Sequence, residues 1–389
     1  MGTSNEIDMG VTGGAFPDAQ MDRVVVSANE LVVHFGLRSI TLPAVWLRDN
    51  CRCTECRIVQ TDERRVLPWS VAHPAIGSAS LHAGVLTIEW ADGHQSQFAD
   101  STWRTIDQAM HRGPATARLW RAGDSLERLA HRDVMNDTGT RAAFFEAFQR
   151  DGAAVVTHSP TTEGSVLDFM HEIGVAVREL SVGRIFDVKL DPAGWNVAYT
   201  SEAVPPHNDF ANYTNPPSGQ VLAMLVNDAT GGHSMVVDGW QVLTALKQLD
   251  PAALDVLARV RVGFRQYSPT ADVFSRTTLV ERDSDGRFTH LRFSNQLMQP
   301  LPFDHPDLVE WYRAYRLLGA MVDEPANQIA FRLDAGDMLF VNNHRVLHAR
   351  EAFVPDGARH LQDIYFDADE IVGNLARLTG AAQDAMVPS

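Results

Sequence analysis

From residue 195 onward the chain is broken into short apolar runs: "GQVLAMLVNDA", "SMVVDGW", "RVRVGFRQY", "THLRFSNQ", "IAFRLDAGDMLFVNN" and "RHLQDIYFDAD", with turn-forming residues between them. Runs of this length bounded by Gly, Asp and Asn fit strands, and a succession of them fits antiparallel sheet that packs on a second sheet. The pattern predicts a mainly β jelly roll. Helices are inserted into it. "HPDLVEWYRAYRLLGAMVDE" and "GSVLDFMHEIG" read as helices, and "RAAFFEAFQRDGAAVVTHSP" as an amphipathic helix running into a strand.

The N-terminal part carries a second pattern. Residues 23–100 alternate short apolar runs ("RVVVSANELVVHFG", "ASLHAGVLTIEWADG") with turn signals, which predicts a small β-rich domain. Residues 1–22 read as a disordered leader, residues 101–135 as a connection, and residues 136–389 as the larger domain. The only three cysteines, Cys51, Cys53 and Cys56, crowd into "WLRDNCRCTECRIV". An odd, tight cluster cannot build a disulfide framework. Three converging thiolates are instead most of a Cys₃His tetrahedron, the closed shell of a structural zinc site. His73, His82 and His94 are the candidates for the fourth ligand. Of these, His94 follows an Asp-Gly turn that can swing it back toward the sulfurs.

Composition narrows the function classes. A formal charge of −16 without clustered Lys or Arg argues against nucleic-acid binding, which needs phosphate contacts. No apolar run reaches the length of a membrane span, and the N-terminus lacks the basic and apolar parts of a signal peptide, so a cytoplasmic protein without a membrane partner is expected.

Chemistry concentrates in "AVPPHNDFANYTNPPSGQ". On an extended segment, residues two apart point the same way, so His207 and Asp209 can hold one metal ion. A distant strand must supply the third ligand. His348 in "GDMLFVNNHRVLHAREAF" is the best candidate, with His344 as its rival. Two histidines and a carboxylate on one face of an octahedron leave positions open, as in non-haem Fe(II) oxygenases. If those positions take a 2-oxo diacid, its far carboxylate needs a buried cation, for which Arg359 is placed, and Ser234 can add a hydroxyl. A zinc hydrolase built on the same triad, or a jelly roll that binds a ligand without turnover, are the readings from other classes.

Taken in order, "VWLRDNCRCTEC", "NVAYTSEAVPPHNDF", "ATGGHSMVVDGW", "NNHRVLHARE" and "RHLQDIYFDAD" resemble the γ-butyrobetaine and trimethyllysine hydroxylase family of Fe(II)/2-oxoglutarate oxygenases. The resemblance covers nearly the whole chain after residue 23. It implies a double-stranded β-helix catalytic domain, zinc on Cys51, Cys53, Cys56 and His94, and iron on His207, Asp209 and His348. The pattern N-x-R-x-x-H, met by Asn343, Arg345 and His348, selects His348 over His344. The resemblance also implies 2-oxoglutarate on Arg359 with Leu222 and Ser234 lining its pocket, O₂ as cosubstrate, ascorbate in support, and a homodimer.

For the substrate, the resemblance implies a trimethylammonium zwitterion. A quaternary ammonium has no N–H to donate and is recognised by aromatic faces. Tyr199 and Tyr365 match cage positions of the family. Phe186 stands where a tryptophan is expected and Val182 where a tyrosine is usual, so the cage differs, and Asp187 is a candidate source of negative charge. Asn196 matches a residue that binds the anionic tail. The "LRFSNQ" run, expected as a strand, offers Arg292, Ser294 and Asn295 as further donors. The expected substrate is γ-butyrobetaine, with a trimethylammonium alkylphosphonate, which would suit an arginine, or trimethyllysine behind it.

Overall fold

The alternating apolar runs of the N-terminal part fold as two antiparallel meanders in the computed structural model, which describes residues 20–71, 73–103, 106, 116–194, 196–268 and 271–379. The first contains β1 (Arg23–Val26), β2 (Glu30–Phe35) and β3 (Arg38–Pro43), the second β4 (Ile76–His82), β5 (Val85–Trp90) and β6 (Gln95–Ala99). In β2 the buried residues are Leu31, Val33 and Phe35, the period of two that gives a strand one apolar face. They share a core with Leu86, Ile88, Phe98 and Trp103. Met21, inside the expected leader, also belongs to this core, and its sulfur accepts the Trp103 Nε1–H at 3.1 Å. The rest of that leader, residues 1–19, lies outside the described residues.

The chain divides into two compact units at residue 113. The second unit holds β7 (Glu127–Ala130), β8 (Ala153–Thr157), β9 (Phe186–Lys189), β10 (Val204–His207), β11 (Gly219–Asn227), β12 (Thr230–Gly231), β13 (Ser234–Asp238) and β14 (Val262–Tyr267). It continues with β15 (Asp272–Thr277), β16 (Val280–Arg282), β17 (Phe288–Leu291), β18 (Gln328–Phe331), β19 (Met338–Asn342), β20 (Val346–Arg350), β21 (Phe353–Val354) and β22 (Arg359–Phe366). A six-stranded sheet runs β7-β8-β19-β11-β22-β9 and a four-stranded sheet runs β10-β20-β13-β18. Val155, Leu339 and Leu361 of the larger sheet meet Val236 and Val346 of the smaller in one buried cluster, so the two sheets pack face to face as a jelly roll.

The expected connection, residues 101–135, is therefore cut short. β7 pairs in parallel with β8, and the helix His131–Asn136 follows it, so residues 127–135 belong to the larger unit. A four-residue edge strand is too short to show alternation in sequence.

The three expected helices form at Thr138–Asp151, Ser165–Glu172 and Leu308–Asp323. Asp137 caps the first by accepting the Thr140 N–H at 2.6 Å. Phe144, Phe148 and Phe169 from these helices cover the outer face of the larger sheet at Phe340, Ile364 and Phe366. The helix Thr138–Asp151 ends at Gly152, with φ +72, where a Cβ would lie 2.8 Å from Arg345 Cδ. Both the left-handed turn and the close approach require glycine there.

Candidate active site

In the N-terminal unit, the turn after the helix Ala44–Asp49 presents the three sulfurs, and the hairpin between β5 and β6 delivers His94 to them. His94 Nε2 lies 3.4, 3.7 and 3.6 Å from the sulfurs of Cys51, Cys53 and Cys56. Tetrahedral zinc, with bonds of about 2.3 Å to sulfur and 2.0–2.1 Å to nitrogen, sets sulfur and nitrogen about 3.6 Å apart. Glu55 Oε2, 3.2 Å from His94 Nδ1, orients the ring so that Nε2 faces the centre. Burial, with repulsion from Cys51 behind it and against the Arg48 contact, pushes the Cys56 thiol up to about 12. A central cation would offset the burial that opposes ionisation of Cys51 and Cys56. His73 and His82 are exposed and take no part in the cluster.

In the jelly roll, β10 pairs with β20 so that His207 lies opposite His348, with ring centroids 4.3 Å apart. Asp209 completes the group: its oxygens lie 3.3 Å from His207 Nε2 and 3.8 Å from His348 Nε2. The carboxylate does not come from the strand, as i, i+2 spacing suggests. β10 ends at His207, and Asp209 sits in a turn whose next residue, Phe210, has φ +57. His207 Nδ1 lies 2.9 Å from the Pro205 carbonyl, which can accept its proton when Nε2 is given to a metal. Burial, followed by the repulsion of His207, pulls His348 down to about 3, so it is a neutral ligand. Burial opposes ionisation of Asp209, yet the contact with His207 before all others holds its carboxyl well below the usual range. The donor set fits one divalent ion on a single face with the other side open.

The pattern Asn343, Arg345, His348 has a scaffolding reason. Asn343 is fully buried; its Oδ1 accepts the Asp209 N–H at 3.0 Å and its Nδ2 donates to the Asp209 carbonyl at 2.9 Å. Asn208 ties the same turn to Phe293 and to the Asn343 carbonyl. Arg345 grips Asp238 through Nε at 3.0 Å and NH2 at 2.7 Å, and Asp238 in turn caps the helix Gly239–Leu249. His344 faces away, stacked on His290 at 3.9 Å with Nε2 beside the Pro216 carbonyl.

A cavity opens from the triad. Arg359, Ser234 and Leu222 all line it. Arg359 is buried, packs its guanidinium over the Phe353 ring, and leaves Nε without a hydrogen-bond partner. A buried guanidinium in that state is costly unless an anion meets it. The neighbouring Arg350 is already engaged with the carbonyls of Ala198, Thr200 and Glu202.

The expected substrate residues separate into two groups. Phe186, Tyr365, Asn196, Ser294 and Val182 line the cavity, and the buried Ser294 Oγ has no partner. Tyr199 is not on that wall; its ring sits 5.4 Å from Phe186 and lines an adjoining hollow. Asp187 is turned out: strand alternation puts it behind Phe186, bound to His360 at 2.7 Å and Gln362 at 2.9 Å. Arg292 is also lost to the substrate, because β17 ends at Leu291 and its guanidinium donates to the Tyr213 and Thr214 carbonyls at 2.7 and 3.1 Å. Asn295 accepts the Tyr315 hydroxyl, away from the cavity.

Two residues, Gln220 and Asp363, and a second role of Tyr365 went unread in sequence. Tyr365 O–H and Gln220 Nε2 each donate to Asp209 Oδ2 at 2.8 Å, so the expected cage tyrosine also steers the metal carboxylate. Asp363 faces the cavity, where burial and the Asp209 charge push its carboxyl well above the usual range, against Arg359. The alternation of "RHLQDIYF" places Arg359, Asp363 and Tyr365 on one face and was the available signal.

Comparison with known proteins agrees with this geometry. Residues 122–365 match the model of the taurine catabolism dioxygenase TauD, TfdA family, and residues 24–105 match the γ-butyrobetaine hydroxylase-like N-terminal model. A γ-butyrobetaine dioxygenase of Pseudomonas sp. (strain AK-1) is 33% identical over 340 residues, covering 85% of this chain and 88% of the relative. The γ-butyrobetaine dioxygenase of Homo sapiens is 26% identical, covering 86% and 90%. The mitochondrial trimethyllysine dioxygenase of Gallus gallus is 27% identical, covering 86% and 82%.

Proposed function

The chain belongs to the TauD, TfdA family and is an Fe(II)/2-oxoglutarate-dependent dioxygenase, and from that premise we propose that it hydroxylates a small trimethylammonium zwitterion, γ-butyrobetaine before others. The observation that carries the choice is the make-up of the cavity beyond the triad. Its described lining offers the rings of Phe186, Phe210 and Tyr365, and the neutral polar groups Asn196, Ser294, Gln266 and Gln296. Rings suit the quaternary head. Amides and a hydroxyl suit a carboxylate tail. A phosphonate dianion calls for a guanidinium, but Arg292 and Arg350 are engaged with backbone carbonyls. Trimethyllysine adds an α-ammonium, and of the two carboxylates on the described lining Asp209 stands with the metal ligands, which leaves Asp363 alone for any cationic group and none for a second one.

When bound, Fe(II) with 2-oxoglutarate and O₂ supplies oxidation of an unactivated C–H bond, with succinate and CO₂ as coproducts and ascorbate as a supporting reductant. The chain supplies geometry. His207, Asp209 and His348 would hold the metal, and Tyr365 and Gln220 fix the Asp209 carboxylate. Arg359 would receive the far carboxylate of the cosubstrate beside Ser234 and Leu222. Val182, Val197 and Leu297 make the wall apolar, which keeps water from the reacting carbon. The Cys₃His cluster takes a structural zinc in the same reading, and a homodimer completes it on the strength of the resemblance; light scattering checks the latter.

The test is a succinate-release screen over γ-butyrobetaine, a trimethylammonium alkylphosphonate, trimethyllysine and taurine. Fastest turnover of γ-butyrobetaine is expected. A faster phosphonate overturns the tail, and turnover of taurine with no quaternary ammonium accepted overturns the substrate class.

A further inference from the structure

We infer that Asp363 is the anionic wall of the cationic subsite: its carboxylate faces the trimethylammonium head and sets a preference for a charged substrate over a neutral one of the same shape. This rests on the substrate class proposed above. Three observations place it there. First, β22 alternates, so Arg359, Leu361, Asp363 and Tyr365 line the cavity, while His360 and Gln362 serve the opposite face. Second, the register sets Asp363 opposite Phe186 on β9 and opposite Leu222 on β11, between the ring expected to meet the head and the wall expected to meet 2-oxoglutarate. Third, Asp363 is 5% exposed, its Oδ1 has no hydrogen-bond partner, and it makes no ion pair with a described residue.

Charge balance gives the reason. A divalent iron and the Arg359 cation are matched by Asp209 and the two carboxylates of 2-oxoglutarate. A zwitterionic substrate adds no net charge, but its quaternary head is held several bonds away from its own carboxylate and still needs a local counter-charge, which aromatic faces supply only in part. Asp363 is the one remaining carboxylate on the described lining. The groups around it are Asp209, Arg359, Tyr365 and Gln220. Asp187, the acid that sequence pointed to, is held outside by His360 and Gln362.

The test compares wild type, Asp363→Asn and Asp363→Glu, each loaded anaerobically with Fe(II) and 2-oxoglutarate. Binding of γ-butyrobetaine, tetramethylammonium and 5,5-dimethylhexanoate, the neutral-headed isostere, is read from the perturbation of the visible absorption of the loaded protein. In Asp363→Asn, affinity for both cations should fall about tenfold or more relative to the isostere, with partial recovery in Asp363→Glu. A cation-to-isostere ratio that stays at the wild-type value overturns the inference. So does a loss that falls on 2-oxoglutarate instead, which would make Asp363 a cosubstrate residue. If wild type binds tetramethylammonium through Asp363 but does not turn over γ-butyrobetaine, the substrate proposal fails and the role of Asp363 stands. If wild type binds no cation, the inference fails.

Discussion

The two metal clusters of this chain are opposites in how their surroundings are completed. The Cys₃His group is closed: four donors surround one point, and Glu55 and Arg48 hold the ligands from outside. The His207, Asp209, His348 group occupies one side only. Around its open side lie buried atoms without partners, namely Arg359 Nε, Ser294 Oγ and Asp363 Oδ1. A folded chain rarely leaves buried polar atoms unpaired. The contrast teaches that the first cluster has room for a metal ion alone, whereas the second opens on a cavity with room for further ligands.

The largest effects should come from breaking each shell. His348→Ala should abolish iron binding and turnover, while His344→Ala keeps the iron; metal analysis and succinate release read both. Retained iron in His348→Ala with loss in His344→Ala would reverse the assignment. Cys53→Ser should release the zinc and melt the N-terminal unit, because structural zinc contributes on the order of 10 kcal/mol to small domains. A full zinc complement in that variant would show that the cluster is not the site.

Next comes the open side. Arg359→Ala should raise the KM for 2-oxoglutarate about 30- to 200-fold, from a charge-assisted bond worth about 2–3 kcal/mol, without changing the zinc content. Asn343→Ala should cost about 1–3 kcal/mol in stability, since it strands the Asp209 N–H and C=O, and should lower kcat through the misplaced carboxylate. Denaturant unfolding and steady-state kinetics separate the two effects.

The smallest effect expected is a pH dependence of stability. Burial, with His344 and Arg292 behind it, holds His290 well below its ordinary value, and burial also lowers its stacking partner His344. Both are therefore neutral in the fold, and the unfolded chain binds more protons once pH drops through about 6.5. Stability is complete above that pH and falls as pH decreases below it. His290→Phe should flatten the acid side of a thermal-melt profile; an unchanged slope would remove the pair from the explanation.

Sequence by itself determined the pieces whose information is local or strongly patterned. Three cysteines within one turn, the apolar alternation of the strands and the helices Thr138–Asp151 and Leu308–Asp323 all follow from neighbours a few residues apart. His207, Asp209, His348 and Arg359 were legible because few residue types suit a metal or a buried carboxylate, and because the motifs around them resemble a known family. The tertiary structure decided which side chains face the cavity. Asp187 and Asp363 are both acidic and both on strands paired in one sheet, yet one is bound on the outer face and the other is buried at the site. Arg292 was a plausible tail binder until the end of β17 at Leu291 let its guanidinium turn to the Tyr213 and Thr214 carbonyls. Moving a strand end or a register by one residue turns each side chain to the opposite face, and that choice is set by pairing between segments distant in the chain, which no single stretch of sequence contains.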